Sequence, residues 1–175
     1  LKFLVGERLK IYQEFFLSLP SDSWLMMAVN ELWDIPEMRE ELYKNFVYAN
    51  ADKMITHMYT KEDALFPDYV GSFYYYYGDP PYADGARAEG LNGALELAVK
   101  AGDKERSEKY FEALKLLAWA TLHLVNTPES SYSYPNPELA IGGIRFKNTR
   151  QWFRVDTIQH VVAFYLKFLP YWKEE

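Results

Sequence analysis

Residues Asp68–Gly102 read DYVGSFYYYYGDPPYADGARAEGLNGALELAVKAG. An aromatic loop, Phe73–Tyr77, is broken by glycine and two prolines and is followed by a helix of mostly small side chains. Glycine and proline mark loops and turns, and loops carried on a rigid scaffold often hold functional residues. We therefore expect this loop and the first turn of the helix to form one wall of a pocket.

Apolar residues at helical spacing, interrupted by Pro and Gly, predict helices along most of the chain. The predicted helices cover residues 1–19, 24–33, about 36–58, 86–101, 104–125 and 152–169. The first is predicted to bury Leu4, Leu9, Ile11, Tyr12, Phe15, Phe16 and Leu19, the fifth Tyr110, Leu114, Leu117, Thr121 and Val125, and the last Val155, Ile158, Val162, Tyr165 and Leu169. Strand character is limited to Ile144–Phe146, so the predicted class is all-α, in a single helical domain over residues 1–175.

The connectors predict how these helices pair. Helices that start near Ser21, Ala86 and Trp152 recur about 65 residues apart, as in repeated helical units. Two of them lead into the next helix over very short connectors, at Asp34–Pro36 and Ala101–Asp103, whereas long loops rich in Tyr, Pro and Gly precede Ala86 and Trp152. In the second connector, Gly102 is a predicted C-cap and Asp103 a predicted N-cap. Stacked antiparallel αα-hairpins produce this alternation and gather their long loops on one face.

The segment ARAEGLNGALELAVKAGDKERSEKYFEAL, which begins at Ala86, resembles the inner helix, short turn and outer helix of α/α-toroid carbohydrate-active proteins. This group contains polysaccharide lyases, uronyl epimerases and several glycosidases. The segment GGIRF, which begins at Gly142, is similar to the same group, and the resemblance covers about residues 20–170. It implies a partial α/α toroid with its site in the funnel where long loops and helix starts meet. No family-specific catalytic motif is matched, so the resemblance implies a location and no catalytic role.

The chain begins at Leu1 rather than Met, inside a predicted helix, and it has too few hairpins for a closed ring. We therefore expect it to be the C-terminal part of a longer chain. Either a missing N-terminal half or a second copy of the chain would then complete the fold.

Composition excludes several classes of function. The net charge is −6 and no block of Lys or Arg is present, which argues against nucleic acid as a partner. No run approaches the ~18 apolar residues of a membrane span. The absence of Cys excludes thiolate metal sites, and no spacing of His, Asp and Glu predicts a metal; no cofactor motif is present either. The compartment is left open, while the low Gln content and the absence of Cys favour a thermophilic source.

The first candidate cluster comprises Asp79, Tyr82, Asp84, Arg87 and Glu89, around one helix start. Carboxylates and a cation in such a position can support general acid–base chemistry on a sugar. Asp84 is equally typical of a helix N-cap, and Arg87 and Glu89 of ion pairs with neighbours. We predict Arg87 and Glu89 to be catalytic, and Asp79 and Tyr82 to bind substrate.

The second candidate cluster comprises Arg145, Arg150, Trp152, Arg154, Asp156 and His160. Asp156 and His160 lie one helical turn apart and can touch, and a carboxylate beside a histidine raises the histidine pKa and orients the ring. The pair could equally tie two helices together, because nothing nearby supplies a nucleophile. The arginines can clamp a carboxylate or sulfate, as on an acidic sugar. We predict His160 and Asp156 to be catalytic, and Arg145, Trp152 and Arg154 to bind substrate.

Aromatic residues make up 18% of the chain, with fifteen Tyr and five Trp. Four consecutive tyrosines cannot all face one core, so some are expected to be exposed or to cover a ligand or partner. Tyr75 and Tyr77 are predicted to stack on sugar rings, although the tyrosines could equally seal the chain against a missing half. His57 and His123 are predicted to be packing residues.

Together these features predict a carbohydrate-active or carbohydrate-binding α/α-toroid protein. It would act on an acidic polysaccharide by general acid–base catalysis, as a polysaccharide lyase, an epimerase or a glycosidase. The alternative is a non-enzymatic helical-repeat module that binds a protein through an aromatic face. A prenyl-cyclase-like toroid would also explain an aromatic lining, through cation–π contacts, but its Asp-rich initiating motif is missing. The first interpretation requires Tyr75, Arg87 and His160 to share one end of the bundle.

Overall fold

The structure is a computed structural model that describes residues 1–15 and 19–172, apart from the side chains of residues 12–15. These residues form eight α-helices: α1 (Lys2–Phe15), α2 (Ser23–Leu32), α3 (Glu41–Ile55), α4 (Gly85–Ala101), α5 (Lys104–Leu122), α6 (Pro128–Ser131), α7 (Pro137–Ala140) and α8 (Val155–Phe168). Two short strands, β1 (Arg145–Lys147) and β2 (Arg150–Phe153), pair as an antiparallel hairpin directly before α8. The structure is mostly helical, which confirms the predicted all-α class in its coarse form.

Helix α4 lies at the centre of the fold and packs against α2, α3, α5 and α8. Its glycines permit this close packing. A Cβ atom at Gly85 would collide with the backbone of His160 and Val161 in α8, and one at Gly90 would lie 2.7 Å from the hydroxyl of Ser23 in α2. The start of α4 is therefore in backbone contact with α8, and this contact fixes the position of His160.

Helices α4 and α5 begin at matched N-caps. The Asp84 carboxylate accepts a hydrogen bond from the Arg87 backbone N–H at 3.2 Å, and the Asp103 carboxylate accepts one from the Arg106 backbone N–H at 3.1 Å. Between them, Gly102 ends α4 in the left-handed conformation, with φ of 72°. Both predicted caps and the predicted glycine C-cap are confirmed.

The predicted buried face of the last helix is wrong in part: Ile158 and Tyr165 pack against the core, but Val155, Val162 and Leu169 are exposed. The side chains that face the core are those of Thr157, Val161, Phe164 and Phe168. Val155, which was predicted in the core, is 85% exposed. The helix also begins later than predicted, because the residues before it form β2. Helix α8 is thus apolar on two faces, and its packing on α4 and α5 uses one of them.

Other predicted faces and boundaries also differ from the structure. The third predicted helix is a 3₁₀ turn, Pro36–Met38, followed by a separate α3, because Arg39 leaves the helical conformation. In contrast, the buried face predicted for the helix that follows Asp103 is confirmed from Tyr110 to Thr121.

The first helix is more exposed than predicted. Leu4 and Ile11, expected on its buried face, are exposed. The predicted continuation beyond Phe15 runs through residues 16–18, which lie outside the described residues, as do the side chains of Tyr12 and Phe15.

The β-hairpin is anchored between the start of α4 and the end of α5. The Ala83 backbone N–H donates to the Phe146 carbonyl at 3.0 Å, and the Arg145 N–H donates to the Leu124 carbonyl at 2.9 Å. The hairpin therefore lies beside the first turns of α4 and α8. Across residues 1–15 and 19–172, no helix has both the length and the apolar character of a membrane span.

Candidate functional site

A small cleft opens where the start of α4, the start of α8 and the β-hairpin meet. Its volume is about 140 Å³, below the ~300–1,000 Å³ of typical ligand pockets, so it fits only a small group or part of a larger ligand. Its walls include Tyr82, Asp84, Phe146, Arg154, Asp156 and His160. Residues from both predicted clusters therefore lie together at one end of the molecule.

His160 is held by a buried carboxylate from α4. The distance from its Nδ1 to Oε2 of Glu89 is 3.1 Å, and Glu89 is only 6% exposed. The imidazole also contacts the Trp24 ring, with 5.1 Å between ring centroids. A carboxylate at Nδ1 favours the tautomer that donates from this nitrogen and leaves Nε2 as the second functional nitrogen. Nε2 has no hydrogen bond within the part of the chain that the structure describes.

Asp156 and His160 do not pair with each other as predicted. Asp156 instead accepts two hydrogen bonds from Arg154, one of them from Nε at 3.0 Å. These bonds hold the pKa of Asp156 below its ordinary value. The Arg154 guanidinium also stacks 4.9 Å from the Phe146 ring, so a cation is positioned at the cleft by contacts on the surface of the protein.

Arg87, predicted to be catalytic, is buried and bonded at three of its nitrogens. Nε donates to the Pro20 carbonyl at 2.5 Å, Nη1 to Asp84 at 2.7 Å and Nη2 to the Tyr75 hydroxyl at 2.6 Å. Burial alone would lower the pKa of Arg87, but the adjacent Asp84 carboxylate raises it overall. The structure therefore gives Arg87 a role in joining the loop, α4 and the segment before α2.

Tyr75 and Tyr82 form a stacked pair behind the cleft, with ring centroids 6.2 Å apart and planes 15° apart. The Tyr82 hydroxyl donates to Asp84 at 2.8 Å, and burial raises the pKa of Tyr82 well above its ordinary value. Tyr75 bonds to Arg87, Arg87 bonds to Asp84, and Asp84 and His160 line one cleft. Tyr75, Arg87 and His160 therefore share one end of the bundle.

The remainder of the aromatic loop is held in place by hydrogen bonds to neighbouring loop residues. The Asp79 carboxylate accepts from the backbone N–H groups of Tyr75 and Tyr76, at 3.2 and 3.0 Å. The Tyr77 hydroxyl donates to the Asp63 carbonyl at 2.6 Å. Asp79 and Tyr77, both predicted to bind substrate, are thus engaged within the loop, while Tyr76 is 80% exposed.

A wider open groove of about 720 Å³ runs along the β-hairpin and is lined in part by Arg145, Arg150 and Trp152. Arg145 donates to the His123 carbonyl at 2.8 Å, so this predicted substrate residue holds the hairpin to the end of α5. The exposed Trp152 ring lies 5.2 Å from the Phe146 ring, and that ring lines the small cleft. The groove and the cleft are therefore neighbours across this aromatic pair.

Sequence reasoning missed two aromatic residues of the site. Phe146 lies one position after Arg145 in the GGIRF segment, so its proximity to a predicted residue was an available signal. Trp24 had none, because its contact with His160 depends on how α2 and α8 approach each other. Among the other histidines, His57 is buried as predicted, whereas His123 is exposed.

No group of three His, Asp or Glu side chains within the described ranges could hold a metal ion. Comparisons of this chain with protein-family models, with curated proteins and with solved structures found no match.

Proposed function

We propose that this protein binds and turns over an acidic carbohydrate at the cleft between α4, α8 and the β-hairpin, and that its helices form part of an α/α toroid. The observation that carries the proposal is the Glu89–His160 pair. A buried carboxylate fixes one imidazole nitrogen, and the ring borders a cleft that also contains the Arg154 cation. This is the arrangement expected of an oriented acid–base group beside an anion-binding group.

The chemistry that fits these groups is proton transfer at the carbon next to a sugar carboxylate. Arg154 would bind the carboxylate and neutralise the charge that develops when the adjacent C–H bond breaks. His160 Nε2 would accept the proton. Protonation of the same carbon from its opposite face, by solvent or a second acid, gives epimerisation. Loss of the glycosidic oxygen from the neighbouring carbon, with that oxygen taking the proton from the His160 imidazolium, gives elimination.

Glycoside hydrolysis is less well supported by the same cleft. It requires two carboxyl groups free to act as acid and as base or nucleophile. Asp84 is bonded to Arg87 and Tyr82, and Asp156 is bonded to Arg154. Both carboxylates are therefore engaged in ion pairs, whereas His160 keeps one nitrogen available.

The test is calorimetric titration with hexuronate oligosaccharides and with neutral oligosaccharides of the same length. We expect binding of the acidic series and its loss in Arg154→Ala. Arg106→Ala is a matched control, because Arg106 and Arg154 have side chains 41% and 43% exposed and each pairs with an aspartate. Equal weakening by both substitutions would indicate a general charge effect and would contradict the proposal.

The role of His160 is tested by His160→Asn, whose side-chain amide can still donate to Glu89 but lacks the second ring nitrogen. We expect unchanged binding and a loss of turnover of ~10²–10⁴-fold, which is the usual contribution of general acid–base catalysis. The assay follows ultraviolet absorbance for elimination and solvent-deuterium incorporation for epimerisation. Unchanged turnover in this variant would exclude His160 as the acid–base group.

The exposed end of the aromatic loop favours a second candidate, a protein-binding face. Tyr76 is 80%, Tyr77 58% and Phe66 57% exposed. Aromatic side chains are enriched at protein interfaces. If the protein instead acts as an interaction module, Tyr76→Ala should abolish partner binding, whereas it should leave binding of acidic oligosaccharides unchanged.

A further inference from the structure

Helix α8 and Leu169, which directly follows it, carry an apolar face that the described residues leave uncovered. Val155, Gln159, Val162, Leu166 and Leu169 follow one another at alternating steps of four and three residues. The four apolar members are exposed by 85, 45, 67 and 58% in chain order. Steps of three and four residues form the seam of a helix pair. These five residues are called the α8 stripe.

We propose that the α8 stripe binds the α8 stripe of a second copy of this chain, antiparallel and about a two-fold axis at Val162. The two ends of the stripe are symmetric about that residue, since Val155 and Leu169 are each seven positions from it, while Gln159 and Leu166 lie three and four positions away. In a two-fold dimer each patch must be complementary to itself. Antiparallel pairing meets this condition because each Val155 then lies against Leu169 of the other copy.

The charges of α8 select the antiparallel direction. Apart from His160, its acidic and basic side chains are Asp156 near the start and Lys167 near the end. At 3.6 residues per turn both lie on the same flank of the stripe. Antiparallel pairing brings each Asp156 close to Lys167 of the other copy, whereas parallel pairing would leave these two residues at opposite ends of the pair. Asp156 can keep its bonds to Arg154, because a carboxylate accepts several donors.

The opposite face of α8 is already occupied, which makes the stripe the available surface. Val161, Phe164 and Phe168 are at most 1% exposed in the core. His160 also points away from the stripe, towards Glu89. Pairing through the stripe therefore does not require the helix to turn, although it brings Lys167 of the other copy to Asp156 at the edge of the cleft. The proposal rests on the stripe alone and not on the proposed carbohydrate function.

Single-cysteine variants test the geometry, because the chain contains no Cys. Val162→Cys lies at the proposed axis, so we expect mild oxidation to give a disulfide-linked dimer in high yield. Val155→Cys should not link to itself, since the two copies of this position would be roughly 21 Å apart at 1.5 Å per residue. A mixture of Val155→Cys and Leu169→Cys should link, and Leu139→Cys, on an exposed residue of α7, is the control for random collision.

Sedimentation velocity on residues 1–175 tests the assembly. We expect a dimer at tens of micromolar, a monomer for Val162→Glu with an unchanged helical circular dichroism spectrum, and a dimer for Leu139→Glu. Self-linking of Val155→Cys would overturn the antiparallel arrangement. A monomeric wild-type chain, with Val162→Cys linking no faster than Leu139→Cys, would overturn the proposal.

Discussion

The starts of α4 and α5 carry the same pattern, an aspartate followed three residues later by an arginine. In both, the aspartate caps the helix and accepts from the guanidinium, at 2.7 Å for Arg87 to Asp84 and 3.0 Å for Arg106 to Asp103. The two pairs differ in burial. Their arginine and aspartate side chains are 10% and 7% exposed at α4 but 41% and 27% exposed at α5.

The difference shows that burial, rather than the sequence motif, decides what the loss of one partner of such an aspartate–arginine pair costs. Removing one partner of a buried pair leaves an unpaired charge away from water, whereas water replaces the lost partner at an exposed pair. The same contrast separates Arg87 from Arg154. Arg87 is enclosed by Pro20, Tyr75 and Asp84, while Arg154 lies on the surface at the cleft and pairs with Asp156.

Substitution of the arginines in the two capping pairs, Arg87 and Arg106, is expected to give the largest difference in the free energy of unfolding. Arg87→Ala should lower the free energy of unfolding by ~3–5 kcal/mol, because Asp84 is left buried and unpaired. Arg106→Ala should lower it by at most ~1 kcal/mol, since its pair is partly exposed. Urea unfolding followed by circular dichroism measures both. Equal losses in the two variants would show that burial is not the deciding factor.

Substitution at the contact between α4 and α8 is expected to give the next largest loss of stability. Gly85→Ala should lower the free energy of unfolding by ~1–3 kcal/mol or more, because the added Cβ meets the backbone of His160 and Val161. Gly6→Ala in α1 is the matched control. A Cβ there meets nothing within 4 Å, so the substitution should be neutral or stabilise by up to ~1 kcal/mol. Tolerance of Ala at position 85 would contradict the close approach of the two helices.

The exposed Asp103–Arg106 pair at the start of α5 predicts that the stability of the fold depends weakly on pH. Bonds from the backbone N–H and guanidinium of Arg106 hold the pKa of Asp103 below its ordinary value of ~3.9. The unfolded chain therefore binds this proton more readily, so the stabilisation is present above the ordinary pKa and is lost as pH falls through the lower folded-state value. Asp103→Asn keeps a capping side chain and should flatten urea stability between about pH 4 and pH 2.5 relative to wild type. An unchanged slope in this window would show that the carboxylate bonds add nothing to stability.

The sequence predicts the features of this fold that depend on local chemistry. The caps at Asp84 and Asp103 and the turn at Gly102 follow from neighbouring residues alone, and the structure confirms them. The prediction places Val155, Val162 and Leu169 of the last helix in the core wrongly, because α8 is apolar on two faces and periodicity cannot distinguish them. Only the packing against α4 and α5 selects the face of Phe164.

The candidate site shows the same division between features that neighbouring residues predict and features that depend on packing between helices. The sequence locates both residue clusters, since each lies at a helix start that follows a long loop. It pairs His160 with Asp156, because one helical turn is the contact that sequence spacing can show. The partner in the structure is Glu89, 71 positions away, and the approach of α4 to α8 at Gly85 brings the two together. Likewise, the difference between Arg87 and Arg154 depends on burial, which neither sequence neighbourhood reveals.

The most direct measurement of the proposed site is an NMR titration of the histidine side chains with a hexuronate oligosaccharide. The chain has three histidines, so the imidazole spectrum is simple, and His160→Asn assigns one set of signals. The His160 signals should shift and saturate on addition of the acidic ligand but not of its neutral counterpart, while those of His57 and His123 stay in place. Unmoved His160 signals, or equal shifts of all three histidines, would contradict the assignment of this cleft as the binding site.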